Sequence, residues 1–498
     1  MVDWEKDNGA TVPGTPAAWF AARFPGLREQ FGKAIQEVYP DDDDEGRPYV
    51  KDVAEDFLAA TLGDAGMPEA PTVFVAEECR FYTYSPEDGI FHEAREPVLL
   101  ARLSELLLEC ARACEEKFDT SNLEFRMRDT ANLKGVVARA RGLLEVSAGY
   151  FETDLMEFVP CKNGMLRLAD KKLLPFSPSY RRRNKLAVAY EPGATCPLFL
   201  DKLMRPALHP DDVDLLQRWC GLDLIGINLA QRFVLLTGTA GGGKGTFVRV
   251  LVGIIGATNV GMLRANLLRD RFELGRLLGK TLLYGADVPE NFLNCQGASV
   301  LKALTGGDPV TLEFKGSNET PEITCRFNAV ATSNSRLKVH LEGDTDAWRR
   351  RLIMIAYQKP KPGEVIVDLS ERILAEEGSG VLNWMLEGLE KLRADGWQLH
   401  LTPTQQKRVD DLLLESEADV VFAKESLRKD GTESLTVVQC YAAYVTFCGA
   451  RGWTPMPKKD FSNSISETVT RLFALTVRND ILDEDGKAQR GWKGITCA

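Results

Sequence analysis

Apolar positions along this chain fall into short runs of two periods. Leu99 to Lys117 carries Leu100, Leu103, Leu106 and Leu107 at helical spacing, which predicts an amphipathic helix. Asp211 to Ile225 and Thr404 to Lys424 also read as helices. Cys79–Tyr84 and Ile90–Phe91, separated by the Pro86–Gly89 turn, predict a hairpin. Phe233–Leu236 and Leu277–Asp287 are apolar runs of strand length, as are Arg326–Asn334 and Leu352–Tyr357. A second hairpin is expected from Asp308–Phe314 and Glu322–Arg326. Near the end, helices over Leu435–Cys448 and Lys458–Val469 precede strands at Phe473–Val477 and Gly491–Thr496, joined by the turn Asp483–Lys487. Helix, helix, hairpin is a winged-helix pattern.

These elements divide the chain into a mixed α+β segment over residues 1–147 and a linker or helical collar over 148–228. A nucleotide-binding α/β core follows over 229–395, then a helical linker over 396–430 and a winged-helix-like segment over 431–498. No internal repeat or low-complexity tract interrupts this order.

The core opens on Gly238-Thr239-Ala240-Gly241-Gly242-Gly243-Lys244-Gly245-Thr246. The run lies between the apolar Phe233–Leu236 and the helix-like Phe247–Val252, and strand, glycine-rich turn and helix is the context of a phosphate-binding loop. Gly238, Gly241 and Gly243 let backbone N–H groups turn toward an anion, and the helix N-terminus adds its positive end. Lys244 is expected to reach the β- and γ-phosphates of ATP. The hydroxyl that usually follows the lysine and binds Mg²⁺ is Gly245 here, so Thr246 is the expected substitute.

The chemistry expected downstream follows from strand ends. Asp287 closes an apolar strand and is the expected Mg²⁺ carboxylate. Glu290 either polarises the attacking water or is an ordinary loop carboxylate. Asn334, at the tip of another strand, is expected to orient that water. Arg349, Arg350 and Arg351 precede an apolar strand, and one of them is expected to reach a neighbouring subunit's γ-phosphate. Lys315, near the tip of the second hairpin, could hold one DNA phosphate. Lys458, Lys459, Ser462 and Ser464 could face DNA from the second terminal helix, with Arg490 and Lys493 on the wing.

Composition narrows the classes. The net charge of −11 argues for weak, salt-sensitive nucleic-acid binding outside any basic channel. Eleven scattered cysteines and four dispersed histidines lack zinc-site spacing and suggest reduced thiols. No apolar run reaches membrane length and the charged start lacks a signal-peptide core, so a cytoplasmic protein without a membrane partner is expected. The acidic loop Pro40–Gly46 and the basic knot Arg181-Arg182-Arg183-Asn184-Lys185 read as solvated turns, the knot with DNA contact as its alternative.

The order GTAGGGKGTF, GKTLLYGADVPE, LKALTGGDPVTLEFKG, FNAVATSN and DAWRRRLIMIAY resembles superfamily 3 helicases, the AAA+ hexamers of small viruses, phages and plasmids. It is most similar to the poxvirus-type and satellite-phage primase-helicase branch. The flank agrees through Asn163-Gly164, Tyr190-Glu191-Pro192, Cys196-Pro197 and Gly221–Gly226, so the likeness runs over about residues 80–360. The resemblance implies an AAA+ P-loop NTPase core, Lys244 on phosphate, Asp287 as second-motif carboxylate and Asn334 as sensor. It implies that Lys315 contacts DNA, that Arg350, with Arg349 beside it, is the trans-acting finger, and that Lys302 lies at a subunit interface. No pair of strand carboxylates for primase chemistry stands in the N-terminal region.

The expected protein is therefore an ATP- and Mg²⁺-dependent hexameric DNA helicase. It would replicate a mobile element, act on single-stranded and forked DNA, and work beside a separate primase or polymerase. An ATP-dependent initiator platform that does not unwind, and a nucleotide-kinase-like phosphotransferase, are the alternatives.

Overall fold

The computed structural model describes residues 71–101, 104, 130–147, 149–314, 320–324, 326–334, 337, 345–357, 366–483 and 486–497. Two compact units emerge, one of residues 1–190 with 311–323, the other of 191–310 with 324–498.

In the first unit, strands β1 (Thr72–Val75), β2 (Arg80–Ser85) and β3 (Ile90–Ala94) form an antiparallel meander. Helix α1 (Thr130–Leu143) leads to the short β4 (Glu145–Val146), which pairs parallel to β1. The β2–β3 hairpin is the one the alternation and the Pro86–Gly89 turn predict. Val73, Val75, Tyr82, Tyr84, Phe91 and Phe151 form its core. A second meander joins β5 (Phe158–Cys161), β6 (Gly164–Arg167) and β7 (Lys172–Leu174). Of the long helix expected over Leu99–Lys117, only its start falls on described residues; Leu103, Leu106 and Leu107 lie outside them.

The basic knot is not a solvated turn throughout: Arg181 is exposed, but the side chains that follow turn inward. Arg182 is 3% exposed and donates to the carbonyls of Thr153 (2.5 Å), Tyr180 (2.7 Å) and Asp154 (2.9 Å). Arg183 donates to both oxygens of buried Glu78, at 2.6 and 2.7 Å, and Tyr82 donates to the same carboxylate at 2.5 Å. Arg181 stacks on Tyr150 at 4.9 Å. Lys185 reaches the Asp88 carbonyl at 2.6 Å. Four charged residues within five positions become a tie between distant turns because each finds a partner outside the run.

The second unit is built on helix α2 (Pro210–Ile225), a parallel sheet and the helices around it. Strand β8 (Phe233–Gly238) is followed by α3 (Lys244–Ile255), β9 (Val260–Met262), β10 (Leu282–Gly285) and α4 (Ala298–Gly306). Strands β11 (Pro309–Thr311) and β12 (Glu322–Thr324) pair as the second predicted hairpin, whose residues 311–323 belong to the first unit. Then come β13 (Asn328–Ser333), α5 (Thr345–Arg349) and β14 (Leu352–Tyr357). The five strands run β14-β8-β13-β10-β9, all parallel. Their sequences are nearly continuous apolar runs because both faces are covered. Phe233 to Leu236 are fully buried, as are Leu282, Leu283 and all of β13.

Helix α6 (Leu369–Ala394) packs along α2 and α3. Glycines set this contact. A Cβ on Gly388 would lie 1.9 Å from the Gln217 carbonyl of α2, and one on Gly221 would lie 2.4 Å from the Leu389 nitrogen. Backbone meets backbone there, so no side chain fits at either position. Gly380 approaches the Thr195 carbonyl in the same way, at 2.0 Å.

The helix expected over Thr404–Lys424 is two, α7 (Pro403–Ser416) and α8 (Ala418–Ser426). They break at Glu417, whose carboxylate accepts from Thr345 at 2.9 Å. Strand β15 (Leu427–Thr436), helices α9 (Val437–Arg451) and α10 (Lys458–Phe473), and strands β16 (Arg478–Leu482) and β17 (Ala488–Cys497) complete the unit. The sheet order is β15-β17-β16. Both expected helices form, but the first begins at Val437 instead of Leu435, because Leu435 and Thr436 end β15 and Thr436 caps the helix. The strand expected over Phe473–Val477 does not form; the first hairpin strand is Arg478–Leu482, because Phe473 ends α10 and packs on the core of Phe422, Tyr444, Phe461 and Trp492. Strand β15 is polar (LRKDGTESLT) and is defined by its pairing with β17.

Candidate functional site

The carboxyl ends of β8, β10 and β13 are neighbours because these strands are parallel and close together in the sheet. Ligands of open parallel sheets bind outside such ends. At β8 the chain turns through Gly238 (φ 131°), Gly241 (φ 79°) and Gly243 (φ 101°), conformations that L side chains rarely adopt. A Cβ on Gly238 would also lie 2.3 Å from the Tyr357 carbonyl. Gly243 caps α3 without a side-chain hydrogen bond, which leaves the first N–H groups of that helix for an anion.

Lys244, the first residue of α3, is 5% exposed. Its ammonium donates to the carbonyls of Gly238 (2.6 Å) and Thr239 (2.9 Å), so it bends back over the loop. Burial lowers its pKa, and the carboxylate of Asp287 opposes that shift. Asp287 follows β10 in the left-handed region, φ 43°, and its N–H donates to Thr332 Oγ1 at 2.9 Å. Asn334 donates to Asp287 Oδ1 twice, from its backbone N–H at 3.2 Å and from Nδ2 at 3.0 Å. Residues 43, 47 and 90 positions apart in sequence, Lys244, Asp287 and Asn334, thus belong to one site. Glu290 lies on the exposed loop beyond Asp287.

The metal donors expected here are oxygens, which suits Mg²⁺. That ion is ordinarily held by one or two carboxylates with phosphate oxygens and water. Asp287 supplies a carboxylate, and Thr246 supplies a hydroxyl that accepts from Arg249 Nη2 at 3.3 Å. Among the described residues no cluster of three or more His, Cys, Asp or Glu forms a metal cage. Gly245 is not demanded by packing: a Cβ there would meet only Arg249 Nη1, at an ordinary 3.7 Å.

The three arginines of the 349–351 run differ. Arg349 bonds Asp410 at 3.0 Å and also pairs with Asp346. Arg351 donates to the Ala347 carbonyl at 3.1 Å. Arg350 is exposed, and among the described residues its side chain makes no hydrogen bond or ion pair. All three precede β14, at the amino end of the sheet. Strand β8 has six residues, which at about 3.3 Å each separates that end from the glycine loop by roughly 20 Å. Arg350 therefore does not act on an anion held by its own loop. Lys302, on α4, has its ammonium 5.5 Å from the centre of the Trp348 ring, and burial lowers its pKa.

Of the residues expected to contact DNA, Lys315 lies outside the described residues. Lys458 and Lys459 are exposed at the start of α10, and Arg490 is exposed on β17 with Nη2 3.4 Å from Ser466 of that helix. Ser464 does not face solvent: its hydroxyl donates to buried Asp419 at 2.6 Å. Two contributors were not singled out in sequence. Thr332 anchors Asp287, and its signal is the polar end Thr-Ser-Asn of an otherwise apolar strand. Tyr357 backs Gly238, a long-range contact with no local signal.

Residues 236–351 match a family described as "Family of unknown function (DUF5906)", and residues 78–205 match "D5 N terminal like". No curated protein matches the chain. Among solved structures it is similar to "The A form apo structure of NrS-1 C terminal region-CTR", at 11% identity and TM-score 0.47, over 89% of this chain and 99% of that one. It is also similar to "The apo structure of NrS-1 C terminal region (305-718)", at 11% identity and TM-score 0.45, over 88% and 98%. Among the described residues no helix is long and apolar enough to cross a membrane.

Proposed function

We propose that this chain is an ATP-hydrolysing DNA helicase of the AAA+ superfamily 3 type. It assembles as a hexameric ring and serves the replication of a phage, plasmid or other mobile element. The observation that carries this reading is the split of charged groups across one sheet. Lys244, Asp287 and Asn334 meet at the carboxyl ends of the strands, and Arg350 stands at the amino end, too far to serve the same nucleotide. A nucleotide between two copies uses both ends. The match to "D5 N terminal like" supports a phage-type replication protein.

In this reading the uncapped start of α3 and the glycine-loop N–H groups bind the β- and γ-phosphates, and Lys244 neutralises them. Asp287 and Thr246 hold Mg²⁺, which would offset phosphate charge when bound. Asn334 orients the attacking water and holds Asp287 in place, with Glu290 as the nearby carboxylate that could polarise that water. Arg350 of a second copy stabilises charge on the transferred phosphoryl group. Lys315 carries single-stranded DNA, and Lys458, Lys459 and Arg490 hold duplex DNA at the fork through phosphate contacts. Lys302 lies toward the neighbouring copy.

Lys244→Ala tests the reading. ATP turnover and strand displacement on a forked substrate should both vanish while the fold, followed by circular dichroism, persists. Unchanged turnover would remove the nucleotide site. Turnover without strand displacement in the native chain would leave an assembly platform instead of a motor.

A further inference from the structure

At the amino end of the sheet lies a cavity of about 300 Å³. That is the lower end of the roughly 300–1,000 Å³ range of small-ligand pockets. Gln231 and Arg232 line it from the segment before β8, Arg350 and Arg351 from the segment before β14, and Trp397 and His400 from beyond α6. Three arginines line one small space, and among the described residues no carboxylate lines it. In a chain with 72 acidic and 61 basic residues this is a local reversal of sign.

The charges are poorly compensated. Burial lowers the pKa of Arg232, whose Nη1 has only a long bond, 3.4 Å, to the Leu352 carbonyl. Burial and the neighbouring Arg350 lower that of Arg351, with Asp308 as the one opposing charge. Arg351 Nε is buried without a hydrogen-bond partner. Guanidinium groups stay charged at any working pH, and their forked donors match phosphate oxygens. Two rim residues, Gln231 (φ 52°) and Trp397 (φ 65°), are held in the left-handed region, where side chains carry strain.

We infer that this pocket is a polyphosphate seat in which Arg232 and Arg351 join Arg350 in gripping the phosphate chain of a nucleotide carried by a second copy. The inference rests on the proposed function and extends it: Arg350 is the expected finger, whereas the two flanking arginines form a preformed site behind it. The ligand is not the chain's own nucleotide, because the length of β8 separates them. A cavity of about 300 Å³ also suits a compact anion better than a continuous DNA backbone, which needs an extended groove.

Two measurements on the full chain test it. The first uses inorganic tripolyphosphate on the Lys244→Ala chain, whose glycine loop is disabled. Calorimetry should detect binding, and adding R232Q and R351Q should weaken it about 10- to 100-fold, the effect expected for lost charge-assisted hydrogen bonds. Absence of binding, or binding indifferent to both changes, overturns the seat. The second uses turnover. R232Q alone should lower ATP turnover by at least about tenfold, and R232K should recover part of the loss. Mixing R232Q with Lys244→Ala chains should restore turnover, since each supplies what the other lacks. Loss without rescue on mixing overturns the trans assignment. If turnover depends on Arg350 but not on Arg232, only this inference falls. If the native chain has no turnover, the proposed function falls and the tripolyphosphate result alone decides the seat.

Discussion

The chain carries two runs of three arginines, Arg181–Arg183 and Arg349–Arg351. In the first, every side chain is engaged: Arg181 with a ring, Arg182 with three carbonyls, Arg183 with a buried carboxylate. In the second, Arg349 is tied to Asp346 and Asp410, Arg351 to a carbonyl, and Arg350 to nothing among the described residues. The same tripeptide is a structural clamp in one unit and presents a charge at the surface in the other. What separates them is the supply of acceptors. The first run meets Glu78 and three loop carbonyls; the second lies beside a pocket that no carboxylate lines among the described residues. A cluster of arginines is read by its partners, not by its charge.

Four substitutions would break or sharpen that contrast. The largest effect should come from Arg350→Ala. If the exposed arginine is the trans finger, ATP turnover should fall by about 10³-fold or more, while thermal stability moves little. A normal rate would put Arg350 on a par with the structural run.

Next is Arg183→Ala, which strands the Glu78 carboxylate in the core of the first unit. Breaking a buried pair of this kind costs about 3–5 kcal/mol. Urea titration of the full chain, followed by a probe in the first unit, should show the loss. The double change with Glu78→Leu should recover much of it.

A buried acid with no arginine gives the converse. Asp223, on α2, is 2% exposed and faces Asn328 without a well-formed hydrogen bond. Burial pushes its pKa well above the ordinary 3.8, and Asn328 only partly opposes the shift. The folded chain therefore holds this proton longer than the unfolded one. The acid's contribution is complete below pH 3.8 and is lost as pH rises toward the folded value. Asp223→Asn should raise the melting temperature at pH 8 and lose that advantage near pH 4; melting curves across the range would check the sign.

The smallest effect belongs to Arg349→Ala. Its carboxylate pairs are half-exposed and worth about 1 kcal/mol or less. A comparable loss of turnover at Arg349 and Arg350 would erase the distinction drawn within the run.

Local geometry was legible in the sequence. The strand, glycine turn and helix around Lys244 are consecutive, so their geometry follows from neighbouring residues alone. Asp287 and Asn334 were legible as polar ends of apolar strands. Their mutual hydrogen bonds were not, because the order of strands in a sheet is a tertiary fact. The fate of Arg183 depends on Glu78, 105 positions earlier, and that of Arg349 on Asp410, 61 positions later. Strand β15 was missed for the same reason: its polar residues become a strand only through β17. The start of β16 was placed early because Phe473 looks like a strand residue yet serves the helix core.

The glycine seam between α2 and α6 bears on how force would travel. Wherever Gly221 and Gly388 meet the opposing main chain, a shift by even one residue would bring a side chain into that gap. The two helices can engage in a single seating and cannot creep. A tilt of α3, which carries Lys244 and also leans on α6, would then be handed on to α2 as a rigid stroke instead of dissipating as slippage.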